Sequence, residues 1–147
     1  MAAVAAGYRC ETQILYGDLA GARRDGVRAA ALAEQLGTPF WTSWTATNLS
    51  WACAEAGAFE EALATAEHGL AAARDQNVWH EIILLARLSE ARVGTGDIRG
   101  ACDSAREAFA LYRRCPEMRE SGVFAAYKIA GPRALRVARR AGRRARR

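Results

Sequence analysis

Gly17-Asp18-Leu19-Ala20-Gly21-Ala22, Gly57-Ala58-Phe59-Glu60-Glu61-Ala62 and Gly96-Asp97-Ile98-Arg99-Gly100-Ala101 are three versions of one short phrase. Their leading glycines recur at a nearly constant interval of about 40 residues, and a fixed period of that size is the mark of a stacked helical repeat. The phase continues past the phrase. Four residues after Ala22, Ala62 and Ala101 lie Gly26, Ala66 and Ala105; three further on lie Ala29, Gly69 and Ala108. Steps of four and three return to one helical face. Each unit therefore offers a stripe of small side chains against which a second helix can pack closely.

The physics of one unit is readable from the same residues. A helical stretch precedes each glycine, as in Trp41 to Ala56, and another follows it, as in Phe59 to Arg74. Glycine suits the left-handed position that ends the first helix. Asp18 and Asp97 suit the cap of the second, where a carboxylate accepts from free amides. The middle unit lacks that Asp and has Glu60 and Glu61 at the positive end of the helix dipole instead. Thr38-Pro39 reads as the cap and first residue of the next unit. Pro116 stops the second helix of the third unit, and Pro132 separates a further helix, about 117 to 130, from the tail.

These residues resemble the tetratricopeptide repeat: helix, Gly-Asp turn, then alanines on a packing face. The resemblance covers about residues 3 to 115. Leu49-Ser50 and Leu88-Ser89 match the large-then-small pair of the family's first helix, while the first unit has Arg9-Cys10 there. The aromatic residue usual at the next position is replaced by Gln13, Cys53 and Arg92, and the period is longer than usual. The stretch Ala33-Glu34-Gln35-Leu36-Gly37-Thr38-Pro39-Phe40, followed by Gly57 to Leu63, is similar to C-terminal repeats of class III adenylate/guanylate cyclase-like proteins. Related arrays occur in ATP-binding LuxR-type regulators, all large bacterial signalling proteins. The resemblance implies an all-α fold, an α-solenoid of tetratricopeptide-like hairpins wound as a right-handed superhelix. Its expected units are 3–37, 38–76 and 77–115, with a partial fourth at 117–130. Together these form a single domain, 1–130.

Composition agrees with helix. Alanine is the commonest residue, Pro occurs three times, and β-branched residues are sparse. No apolar run reaches the ~18 residues of a membrane span, and no secretory signal follows Met1. The chain carries +5, but Pro132 to Arg147 hold eight arginines and no acid, so the preceding residues are net acidic. The basic tail, 131–147, is expected to be frayed. Contact with nucleic acid or an anionic surface is expected only through it. Cys10, Cys53, Cys102 and Cys115 form no CxxC pair, and neither histidine stands at ligand spacing from them, so no metal site or disulfide framework is expected. Reduced thiols fit a cytoplasmic protein. The lone GxG at Gly94 to Gly96 lacks a phosphate loop's other residues, and no cofactor is expected. His68 and His80 have no nucleophile or carboxylate at a readable spacing, so no catalytic residue is assigned.

One helical face stands out. Trp41, Trp44, Asn48, Trp51 and Glu55 are spaced by three and four, and Glu11 and Glu90 occupy the place of Trp51 in the neighbouring units. Two readings are open: the rings fill the seam between the first two units, or they form the wall of a groove. In a tetratricopeptide-like stack the first helices line the concave surface. The second reading then gives a groove that is aromatic at its centre and acidic toward both ends, suited to basic or apolar segments.

Function is read accordingly as protein or peptide binding, as scaffold or sensor, without catalysis. One alternative is the C-terminal regulatory part of a larger signalling protein, a cyclase-like enzyme or LuxR-type regulator, whose chemistry lies elsewhere; neither a cyclase nor a nucleotide-binding domain fits in this chain. A weaker alternative is a basic-tailed, nucleic-acid-associated protein. Open apolar ends predict self-association or contact with the remainder of a larger protein.

Overall fold

The computed structural model describes residues 1–115. The partial fourth unit expected at 117–130 and the arginine-rich tail at 131–147 lie outside the described residues. Within them the fold is all-helical: α1 (Ala2–Tyr16), α2 (Leu19–Leu36), α3 (Pro39–Glu55), α4 (Phe59–Ala73), α5 (Val78–Thr95) and α6 (Ile98–Arg114).

The repeated phrase forms the turns of three antiparallel hairpins. Gly17, Gly57 and Gly96 have φ of 84°, 77° and 88°, the left-handed backbone that L side chains avoid. After α1 the Asp18 amide returns to the Gln13 carbonyl (2.9 Å), and after α3 the Ala58 amide returns to that of Cys53 (2.9 Å), so carbonyls at the helix ends are satisfied. Asp18 and Asp97 then cap α2 and α6, their carboxylates accepting from the Gly21 and Gly100 amides at 2.9 Å. At α4 the cap position holds Ala58 without a side-chain acceptor, and Glu60 and Glu61 occupy the first turn.

Connections between hairpins differ. Gly37 (φ 63°) ends α2, and Pro39 opens α3. Thr38 stands at the cap position, but its hydroxyl accepts no capping bond. Pro39 has no amide to satisfy, which removes one orphan donor of that helix end. Between α4 and α5 the chain turns through Asp75 at φ 60°, and Asn77 caps α5 by accepting from the His80 amide at 3.0 Å.

Each helix packs on its neighbours in sequence, and α3 also packs directly on α1 and on α5. Thus α1, α3 and α5 form one layer and α2, α4 and α6 a second; among the described residues no comparable contact joins α2 to α4 or α4 to α6. The small-residue stripe is what lets the layers meet. Ala62, Ala66 and Ala101 are 1%, 0% and 3% exposed. At Gly69 a methyl group would collide with the Ala46 side chain and lie 3.1 Å from Leu84. The largest apolar cluster joins Ala66, Leu70 and Ala73 of α4 to Leu84, Leu85 and Leu88 of α5.

Helix α3 is buried on most sides, although it is rich in hydroxyls. Its own carbonyls resolve this: Thr45 Oγ1 donates to the Trp41 carbonyl (2.9 Å), Thr47 Oγ1 to that of Trp44 (2.7 Å) and Ser50 Oγ to that of Thr47 (3.2 Å). Such back-bonding satisfies a polar group without any partner from another helix.

Candidate functional site

The face read from the sequence divides into two groups. Its inner members enter the α1–α3 seam. The Trp44 ring lies on Gly7 of α1, where any side chain would collide with it. Asn48 is buried; its Nδ2 donates to the Gly7 carbonyl at 3.4 Å, and its own carbonyl faces Cys10 Sγ at 3.7 Å. Both fix the register of α1 against α3.

The rings then continue across the first-helix layer. Tyr8 of α1 meets Trp44 edge-on at 5.4 Å between centroids, Trp44 meets Trp41 at 5.7 Å, Trp41 meets Phe40 at 4.9 Å, and Phe40 meets His80 of α5 at 5.0 Å. Edge-on pairs at these separations are attractive through the ring quadrupoles. Tyr8 and Phe40 are 59% and 46% exposed, and Trp41 and Trp44 are half-buried. The aromatic stripe is therefore partly seam and partly surface.

The outer group centres on Trp51. Its ring is half-buried, resting against the α1–α3 cluster of Cys10, Ile14 and Ala52. Its Nε1 donates to the exposed Glu55 at 3.3 Å. Across the ring lies a residue that the sequence reading did not single out: the Arg87 guanidinium of α5 is 4.6 Å from the ring centroid. Arg87 is 6% exposed and its Nη1 donates to Glu90 at 3.0 Å. A desolvated guanidinium over an indole face is a strong form of the cation–π contact. Trp51, Glu55, Arg87 and Glu90 therefore form one group. Glu11, half-buried on α1, makes none of the contacts that join them among the described residues.

His80 is the other residue that the sequence left undistinguished. It is buried, and a 2.7 Å hydrogen bond joins its Nδ1 to Ser43 Oγ. The Ser43 hydroxyl donates to the Phe40 carbonyl at 3.0 Å, so the ring N–H donates to Ser43. Ser43 is 0% exposed; no substrate carbonyl can reach it, and the pair ties α3 to α5. Burial pushes the His80 pKa down from 6.5 to about 4. In the unfolded chain His80 takes up a proton as pH falls below about 6.5, while in the fold it resists until about pH 4. Its contribution is thus fully present above pH 6.5 and is lost as pH falls through that window. The loss amounts to at most about 3 kcal/mol. Urea unfolding midpoints should fall more steeply with acid for the native chain than for His80→Phe. Equal slopes would refute the assignment.

Cys10 and Cys53 are buried thiols and Cys102 an exposed one. Burial pushes the Cys10 thiol up to about 12 and that of Cys53 up to about 11, so both stay protonated and act as small apolar side chains. No helix among the described residues is long and apolar enough to cross a membrane. Set against models of protein families, curated proteins and solved structures, the chain matches none.

Proposed function

We propose that this chain is a protein- or peptide-binding module, a short right-handed α-solenoid of tetratricopeptide-like hairpins that acts in the cytoplasm as scaffold or sensor and carries out no chemistry itself. The observation that carries the reading is the aromatic and charged face on the layer of α1, α3 and α5. That layer is continuous, since α3 packs on both its neighbours, whereas the second helices do not meet comparably among the described residues. Helices drawn together on one side are what a concave surface requires. Half-exposed tryptophan is the residue type most enriched at binding hot spots.

The face selects its ligand by charge and shape. Glu11, Glu55 and Glu90 outnumber Arg87, so its field is negative despite the buried cation. The Arg87 contact is itself an example of the recognition proposed: a guanidinium over Trp51 with Glu90 on its edge. A peptide that alternates apolar and basic side chains fits both aromatic stripe and acids. A fluorescent peptide alternating Leu and Arg should bind the full chain at low salt and be released as ionic strength rises, because exposed charge pairs are screened within about 10 Å at 0.1 M. A Leu/Glu peptide of equal length should bind more weakly. Preference for the acidic peptide, or no binding of either, overturns the reading.

A further inference from the structure

We propose that the outward face of α6 is the docking seat of residues 117–130 of the same chain, which cover it as α5 covers α4. Both sides of the α4–α5 interface recur one period later. Advancing α4 by one period, the interval from Gly57 to Gly96, carries Leu70 onto Phe109 and Ala73 onto Tyr112. Leu70 and Ala73 are buried and belong to the cluster shared with α5. Phe109, at the same place in the next unit, is 60% exposed, with the Tyr112 ring 6.4 Å from it. Similarly Ala66 is fully buried and its counterpart Ala105 is only half-buried. The described part of α6 thus presents, at Phe109, the face that α4 hides at Leu70, while Tyr112 leans back onto the α4–α5 cluster.

The covering side repeats as well. Advancing α5 by the same interval carries Leu84, Leu85, Leu88 and Ala91, all buried, onto Val123, Phe124, Tyr127 and Ala130. These four positions are apolar again one period later, while Val78 and Ile82, at the start of α5, have Glu117 and Ser121 as counterparts. A second copy docking head to tail through α1 is the competing occupant. It would place Ala5, Ala6, Arg9 and Thr12 at those positions. Arg9 is already held by Asp25 at 2.7 Å, and Thr12 is polar, so two of the four seat positions would carry polar groups where α5 has Leu88 and Ala91. The chain's own segment is therefore the occupant that the pattern selects. This surface lies apart from the proposed peptide face, and its test does not depend on a ligand.

Cys102 reports on the seat. It is exposed and stands one period after Leu63, which packs against the clusters containing Leu88 and Ala91. In the full-length chain, dilute and reduced, a short bis-maleimide should link Cys102 to the thiol introduced by Ala130→Cys within one molecule. It should do so far less for Lys128→Cys, two residues away and roughly 200° around a helix. Peptide mapping identifies the linked pair. A second arm uses iodoacetamide: alkylation of Cys102 should rise several-fold in Phe124→Asp, while the buried Cys10 and Cys53 in the same sample report whether the fold persists. Linkage between two molecules would assign the seat to a second copy and overturn the proposal. Equal linkage of the two variants, or a Cys102 rate unchanged by Phe124→Asp, would also overturn it.

Discussion

Leu84→Ala is expected to lower the unfolding free energy by about 3–5 kcal/mol, in the upper part of the range for a buried leucine. Leu84 is fully buried, and its methyl groups lie against Gly69 of α4 near Ala46 of α3. The cost depends on how far the surroundings collapse into the space left. On the α3 and α4 side Leu84 meets Gly69 near Ala46, which have no side-chain torsion with which to follow, so that wall of the cavity stays open. Leu84→Met, which keeps the volume, should cost less than about 1.5 kcal/mol. Urea titrations with unchanged slope read the difference directly. A loss under about 1 kcal/mol for the alanine variant would mean that α4 and α5 are not packed through this residue.

Trp51→Ala should weaken binding of the Leu/Arg peptide by about 2 kcal/mol, roughly 30-fold. Its effect on stability should be smaller than the roughly 3–5 kcal/mol of a fully buried tryptophan, because the ring is only half-buried. The structure adds a refinement. Removing the ring uncovers the buried Arg87, whose Nε has no hydrogen-bond partner among the described residues, so part of any stability loss belongs to the stranded cation. Adding Arg87→Met should recover that part without restoring binding. Trp51→Phe keeps a ring face under Arg87 and should retain most of the affinity. If stability collapses in Trp51→Ala while peptide affinity, corrected for the folded fraction, is unchanged, Trp51 is a seam residue and the binding face lies elsewhere.

Much of the architecture was legible because its causes are local. Positive φ at Gly17, Gly57 and Gly96 and the caps at Asp18 and Asp97 depend on a few adjacent residues, and the repeated phrase displays them. The nine small positions follow from helical geometry; Ala105, the one left half-buried, lies on the outward face of α6. The site was harder to read. The tryptophans were seen as one face, but whether a ring lies in a seam or on a surface depends on the facing helix, and Gly7 decides it for Trp44. Arg87 could have been found: it stands one period after Asn48, which itself stands one period after Tyr8, and all three lie on the first-helix layer. Ser43 and His80 are 37 residues apart. They meet across the register rather than along it, so a column-by-column reading passes over them. The missing Thr38 bond, the turn at Asp75 and the cap at Asn77 have a similar origin, since the period does not extend to the joints between hairpins.

The turns that made the fold legible ask for handedness and nothing else. A side chain built at Gly17, Gly37, Gly57 or Gly96 would meet no atom of the described residues within 4 Å. Sterically these four sites are open to solvent; only the mirror sense of the backbone excludes the other L-residues. At each of them the chain locally reverses its chirality, and a residue of D configuration would sit there without strain. Such a residue would also narrow the unfolded ensemble that glycine leaves wide. Among the described residues the right-handed helices are thus punctuated by five left-handed points, four held by the achiral residue and one, Asp75, by an L-residue that bears the strain.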